Sequence, residues 1–97
     1  MGNFPGGSAY AMAKDIAEGY LLVTERTYMR LLGPELDQLA FEMDRAMRDI
    51  RGDQPAIDDL PAVKTRNRKL QRLTGALSML RSVQARRGRG FSSPAKV

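Results

Sequence analysis

Apolar side chains recur at helical spacing in three segments of the chain, and glycine and proline separate these segments. The clearest pattern lies between Pro34 and Arg51, where the apolar residues form one stripe about 120° wide. That stripe consists of Leu36, Leu39, Ala40, Met43, Ala46, Met47 and Ile50. Pro34 at the first helical position and Gly52 as a stop fit the preferences of helix ends. The segment therefore predicts an amphipathic helix.

The preceding segment predicts another helix, from about Ser8 to Leu32, with Ser8 as the N-cap and Gly33 as a left-handed stop. Its apolar residues surround the helix axis over residues 20–32 instead of keeping to one stripe. A helix of this kind needs partners on more than one side. The apolar surface of this helix and the exposed Phe41 on the outer side of the next helix predict a partner interface. The candidate interface residues are Leu21, Leu22, Tyr28, Met29, Leu32 and Phe41.

The last segment predicts a long helix that begins with Asp58 or Asp59 as its cap and runs to about Arg86. Its core stripe is Val63, Leu70, Leu73, Leu77 and Leu80, widened by Ala76, Met79 and Val83. Capping is also a better interpretation of these two aspartates than metal binding, because the loop lacks the regular spacing of a calcium loop.

Together the segments predict an all-α fold, a small three-helix domain in which a helical hairpin packs against an N-terminal helix. We expect residues 9–87 to form this single domain, with a flexible N-terminus at 1–8 and a basic, Gly/Ser-rich flexible tail at 88–97. A domain of about 80 residues buries only about 60% of its unfolded surface. Modest stability and the apolar first helix predict a homo-oligomer or a subunit of a larger assembly.

The composition excludes several classes of chemistry. The 97 residues include no Cys and no His, so disulfides, thiolate or imidazole metal sites and histidine-based catalysis are absent. We expect a protein that is not an enzyme and that uses no cofactor and no metal. The sequence has no secretory signal pattern and no apolar run long enough for a membrane helix, which predicts a cytoplasmic protein that does not contact membrane.

Charge is distributed very unevenly along the chain. Residues 1–59 contain six basic and eleven acidic residues, a net charge of −5, whereas residues 60–97 contain ten basic residues and no acid, a net charge of +10. Such a block of cations suits the phosphates of nucleic acids, which basic side chains neutralise with release of counterions.

We therefore predict a non-catalytic binding subunit whose basic third helix and Arg-Gly tail contact the phosphates of DNA or RNA. The candidate nucleic-acid-binding residues are Lys64, Arg68, Lys69, Arg72, Arg86, Arg87 and Arg89. Phe91 in the tail offers one aromatic ring on which a base could stack.

Three other interpretations of the basic block stay open, and the simplest is that the charge only keeps the protein soluble. The cations could pair with the acidic half of the same domain or of a second copy, in which case they steer orientation more than they stabilise. Alternatively, the protein is an adaptor or assembly component in which Phe41 and the first helix form the interface and the basic helix meets an acidic protein.

Overall fold

The computed structural model describes residues 4–90, with side chains as far as Arg87. Within that range the chain forms four α-helices and no strand: α1 (Ala9–Glu18), α2 (Glu25–Met29), α3 (Gly33–Gly52) and α4 (Leu60–Gly90). Helices α1, α3 and α4 pack against one another, and α2 packs against α4. The prediction of a small all-α domain is confirmed.

Helix α1 begins as predicted but ends much earlier. Ser8 is the N-cap, and its hydroxyl accepts a hydrogen bond from the Ala11 N–H at 3.1 Å. Gly19 then adopts the left-handed conformation with φ of +85°. Its N–H donates to the Ile16 carbonyl, and the Tyr20 N–H donates to the Asp15 carbonyl at 2.9 Å, which together form a Schellman motif. The prediction of one helix from Ser8 to Leu32 is therefore wrong.

A second helix start follows at Thr24. The Thr24 N–H donates to Thr27 Oγ1 at 3.2 Å, and the Thr27 N–H donates to Thr24 Oγ1 at 3.3 Å. This reciprocal capping box satisfies two backbone donors that a helix start leaves without partners. The chain therefore changes direction between α1 and α2, which explains why the apolar residues of this region do not share one helix face.

Helix α3 matches its predicted range, but Gly33 has a different role from the predicted one. Instead of stopping a helix in a left-handed conformation, Gly33 is the first residue of α3, and Leu32 in extended conformation precedes it. The Leu32 N–H donates to Glu35 Oε1 at 2.8 Å, and Pro34 lies in the first turn. A proline and an acidic side chain at these positions favour a helix start.

Helix α4 is the longest element and spans most of the molecule. Asp59 is its cap, since Asp59 Oδ1 accepts a hydrogen bond from the Ala62 N–H at 3.2 Å. Its 31 residues correspond to a length of about 46 Å at the helical rise. Side chains from α1, α2 and α3 all contact this helix.

One continuous core joins the four helices. Its buried residues are Ala9, Met12, Ala13, Ile16, Ala17, Tyr28, Leu31, Leu36, Leu39, Ala40, Met43, Met47, Leu73, Ala76, Leu80 and Val83. The predicted stripe of the second segment is confirmed as a face that packs on this core, and so is that of the third segment from Leu70 to Val83. Val63, the first residue of that stripe, is half-buried and is not among the residues that pack there. Phe4 also packs against it, and the Gly7 N–H donates to the Phe4 carbonyl at 2.9 Å. Residues 91–97 of the predicted tail lie outside the described residues.

Replacing Gly19 with alanine is expected to lower the free energy of unfolding by about 1–2 kcal/mol, because a left-handed conformation costs an L-residue that much. A β-carbon at this position would also lie 2.9 Å from Arg72 Cζ. Urea denaturation measures the change. Gly75→Ala is the matched control, since nothing lies within 4 Å of its β-carbon position in the middle of α4. That variant is expected to gain up to about 1 kcal/mol, and an equal effect of the two substitutions would contradict this role of Gly19.

Candidate nucleic-acid interface

Arg72 binds the end of α1 instead of projecting fully into solvent. Its Nη1 donates to the Ala17 carbonyl at 2.9 Å, and its guanidinium lies directly over Gly19. The last carbonyls of a helix lack intrahelical partners and carry a partial negative charge, so a cation there is favourable. Gly19 has a left-handed φ of +85°, which favours glycine, and a β-carbon there would also require the flexible end of Arg72 to shift.

Arg66 and Arg87 make the same kind of contact with the other two helices. Arg66 Nε donates to the Ile50 carbonyl at 3.3 Å, and its Nη2 donates to the Arg51 carbonyl at 3.4 Å, at the end of α3. Arg87 Nη2 donates to the carbonyls of Tyr28 and Met29, at 3.3 Å and 3.1 Å, at the end of α2. Each of α1, α2 and α3 thus ends against one arginine of α4.

We call Arg66, Arg72 and Arg87 the capping arginines. Each of them donates to at least one backbone carbonyl, and no carboxylate of the described residues forms an ion pair with them. They add to the positive potential of α4 while their direct contacts stabilise the fold. Two of them, Arg72 and Arg87, belong to the predicted nucleic-acid-binding set.

Two further members of that set form ion pairs with the acidic half of the chain. Lys69 Nζ lies 3.1 Å from Glu18 Oε2 of α1, and Arg86 Nη2 lies 2.9 Å from Glu25 Oε2 of α2. Both pairs are partly exposed to solvent. Pairs of this kind contribute little to stability, about 0–1 kcal/mol.

Lys64 and Arg68 remain without any hydrogen-bond or ion-pair partner among residues 4–87, and both are exposed. They lie one turn apart on the side of α4 that faces away from the core, about 6 Å apart along the axis. Arg81 is exposed as well and donates to Gln84 Oε1 of its own helix at 3.1 Å. The side chain of Arg89 lies outside the described residues.

The outward side of α4, which we call the outer face, contains no acidic residue. Beyond Lys64 and Arg68 it continues through Gln71, Gly75, Ser78 and Ser82, all of them exposed. Of the eight cations between residues 60 and 87, only Lys69 and Arg86 have a carboxylate partner within the described part of the chain. The block of positive charge is therefore only partly neutralised by the domain itself.

The six residues of the predicted partner interface do not lie on one surface of the folded domain, because some are buried and others are exposed. Tyr28 is a core residue with no exposed surface, and its hydroxyl donates to the Ala76 carbonyl at 2.7 Å. Burial raises the pKa of this hydroxyl above its ordinary value. Tyr28 therefore cannot contact a partner in the folded domain, because the turn after Gly19 redirects it toward α4. Leu21 is half-buried and packs against the core.

The other four predicted interface residues are on the surface. Leu22 is 89% exposed, Met29 66%, Leu32 63% and Phe41 57%. Met29 and Leu32 lie together at the junction of α2 and α3, where they line one groove. Leu22 and Phe41 do not line it.

Sequence reasoning missed the capping role of Arg66. Its position near the core stripe of α4 was a signal, because an arginine there has to find polar partners between helices. The partners themselves follow only from the packing of α3 on α4.

Comparison with models of known protein families, with curated proteins and with solved structures finds no match to this chain. None of the helices within residues 4–90 combines the length and the apolar character that crossing a bilayer requires.

Proposed function

We propose that the outer face of α4 binds the phosphates of nucleic acid without reading the base sequence. The observation that carries this proposal is the pair of exposed cations at Lys64 and Arg68, which no group of the described chain engages. Free ammonium and guanidinium groups on an acid-free helix are suited to neutralise phosphates and release their counterions.

The composition of the outer face supports close approach of a phosphate backbone. Gly75, Ser78 and Ser82 present small side chains where a long one would hold a strand away from the helix. Hydroxyl and amide groups such as those of Ser78 and Gln71 are common donors to phosphate oxygens. This face has no aromatic side chain among the described residues, which favours contact with the backbone over stacking with bases.

The contacts that the cations make within the domain favour a smaller set of phosphate-binding residues. Arg72 and Arg87 donate to helix ends, and Lys69 and Arg86 pair with carboxylates. We assign the direct phosphate contacts to Lys64 and Arg68, and we assign a longer-range electrostatic contribution to the other cations of α4.

The double variant Lys64→Ala/Arg68→Ala tests this assignment. Each lost phosphate contact lowers the magnitude of the slope of log K against log salt by about 0.9 on B-form DNA, so the double variant is expected to lower it by about 1.8. Fluorescence anisotropy with a random-sequence duplex, repeated at several salt concentrations, measures the slope.

The control is Arg45→Ala/Arg48→Ala, which removes the same charge from α3. Both arginines are exposed, and the ion pairs they form with described residues are long, at 3.7 Å to Glu42 and 3.6 Å to Asp44. We expect this control to bind nearly as the unaltered protein does. Equal slopes for the two double variants would show that net charge alone drives binding. Absence of binding at low salt would favour an acidic protein as the partner.

A further inference from the structure

The junction of α2 and α3 exposes apolar surface beside charges of both signs. A groove of about 640 Å³ runs along it, bounded on one side by the last described turns of α4. Leu31 and Leu36 are buried beneath it, while Met29 and Leu32 are exposed by 66% and 63% at its edge. These two side chains leave adjoining apolar surface in water, which a partner that covers them would bury favourably.

Three charged side chains, Arg30, Asp37 and Arg87, line this groove at different positions along its length. Asp37 Oδ1 accepts a hydrogen bond from Gln84 Nε2 at 2.7 Å, which places the carboxylate at the level of Gln84 on α4. One turn further along α4, Arg87 donates to the Met29 carbonyl. Arg30 also lines the groove, and its side chain has no polar partner among the described residues.

We infer that this groove is the contact surface between two copies of the chain, arranged about a two-fold axis. A two-fold axis brings the same patch of both copies together. If one residue of the first copy contacts a second residue of its partner, the same contact therefore occurs again with the two copies exchanged. Met29 and Leu32 of one copy then cover those of the other. We place the axis so that Arg30 of each copy lies beside Asp37 of its partner, because these are opposite charges that line the same groove.

A second copy suits this surface better than an unrelated partner because the patch is complementary to itself. It contains both the apolar anchors and both signs of charge, so two copies satisfy one another without a further component. The surface is also separate from the outer face of α4, so a dimer would present two basic helices at once.

Analytical ultracentrifugation of the full chain tests the inference. The protein is expected to sediment at twice its 10.8 kDa mass at micromolar concentration. Met29→Ser/Leu32→Ser is expected to weaken the dimer by roughly tenfold or more, as loss of central apolar anchors does. Ile57→Ser/Leu60→Ser removes two other exposed apolar groups, 92% and 62% exposed, and is expected to leave dimerisation unchanged.

A charge exchange tests the two-fold arrangement itself. Arg30→Asp alone and Asp37→Arg alone are each expected to abolish dimerisation, because each places like charges opposite one another twice. An equimolar mixture of the two variants is expected to form a dimer again, since both contacts then join opposite charges. Circular dichroism confirms that each variant is folded.

A monomeric wild-type protein at these concentrations would overturn the inference, as would a dimer that is insensitive to Met29→Ser/Leu32→Ser. Failure of the mixed variants to associate, when each alone has lost dimerisation, would overturn the proposed pairing of Arg30 with Asp37. These outcomes are independent of nucleic-acid binding, since none of these substitutions changes Lys64 or Arg68.

Discussion

Replacing Tyr28 with alanine is expected to lower the free energy of unfolding by about 3–5 kcal/mol, the range for removing a large buried aromatic side chain. The ring has no exposed surface, and it is the buried residue of α2 that packs against α4. A loss of this size is a large part of the 5–15 kcal/mol that stabilises a typical domain. Chemical denaturation followed by circular dichroism measures it.

Tyr28→Phe measures the contribution of the hydroxyl to stability separately from that of the ring. It removes only the hydrogen bond to the Ala76 carbonyl, and we expect a loss of about 1 kcal/mol. This variant keeps the test informative if Tyr28→Ala does not fold.

Because burial raises the pKa of the Tyr28 hydroxyl, the unfolded chain releases this proton at a lower pH than the folded chain does. The wild-type protein should therefore lose stability above about pH 10, and Tyr28→Phe should lose less over the same interval.

A loss of about 3 kcal/mol is expected when all three capping arginines become methionine, a residue that keeps an apolar stem but no donors. A cation at a partly buried helix C-terminus contributes on the order of 1 kcal/mol. Arg66, Arg72 and Arg87 serve different helices and lie well apart along α4, so their effects should add. Urea denaturation measures the sum.

The control for this variant removes the same number of charges from other surface positions. Arg48→Met/Lys64→Met/Arg68→Met changes three exposed cations, of which only Arg48 has a partner within residues 4–87, a long ion pair within α3. Exposed positions of this kind usually shift stability by less than about 0.5 kcal/mol each. If both triple variants lost the same stability, the capping role would be wrong and net charge would account for the effect.

The fold was predictable wherever local signals agreed with one another. In α3, Pro34, Glu35 and the single apolar stripe all favour the same helix, and the structure has that helix. Leu70, Leu73, Leu77 and Leu80 of α4 likewise share one face and pack in the core. An amphipathic stripe with matching ends leaves few alternatives for a helix of ordinary length.

The interruption at Gly19 was not predictable from the apolar pattern alone. A glycine inside a helix costs only about 1 kcal/mol, so a continuing apolar pattern outweighs it in a local interpretation. The helix ends there through the Schellman hydrogen bonds, and Arg72 of α4 adds a tertiary contact at the Ala17 carbonyl. The capping box at Thr24 was the local signal that a new helix begins.

The sequence also did not predict which cations of α4 bind the ends of other helices and which face solvent. Arg72 lies 55 residues from its carbonyl partner, and Arg87 lies 59 residues from Tyr28. No local spacing encodes contacts over such distances. The predicted charge block was a correct description of the sequence, but only the packing of α4 separates cations that hold helix ends from those that face solvent.

Binding of the unaltered protein to a random-sequence duplex across a range of salt concentrations tests the central claim most directly. Two phosphate contacts by Lys64 and Arg68 predict a slope of log K against log salt of about −1.8 or steeper. A slope near zero, or no detectable complex at the lowest salt concentration, would contradict the assignment of this face to nucleic acid.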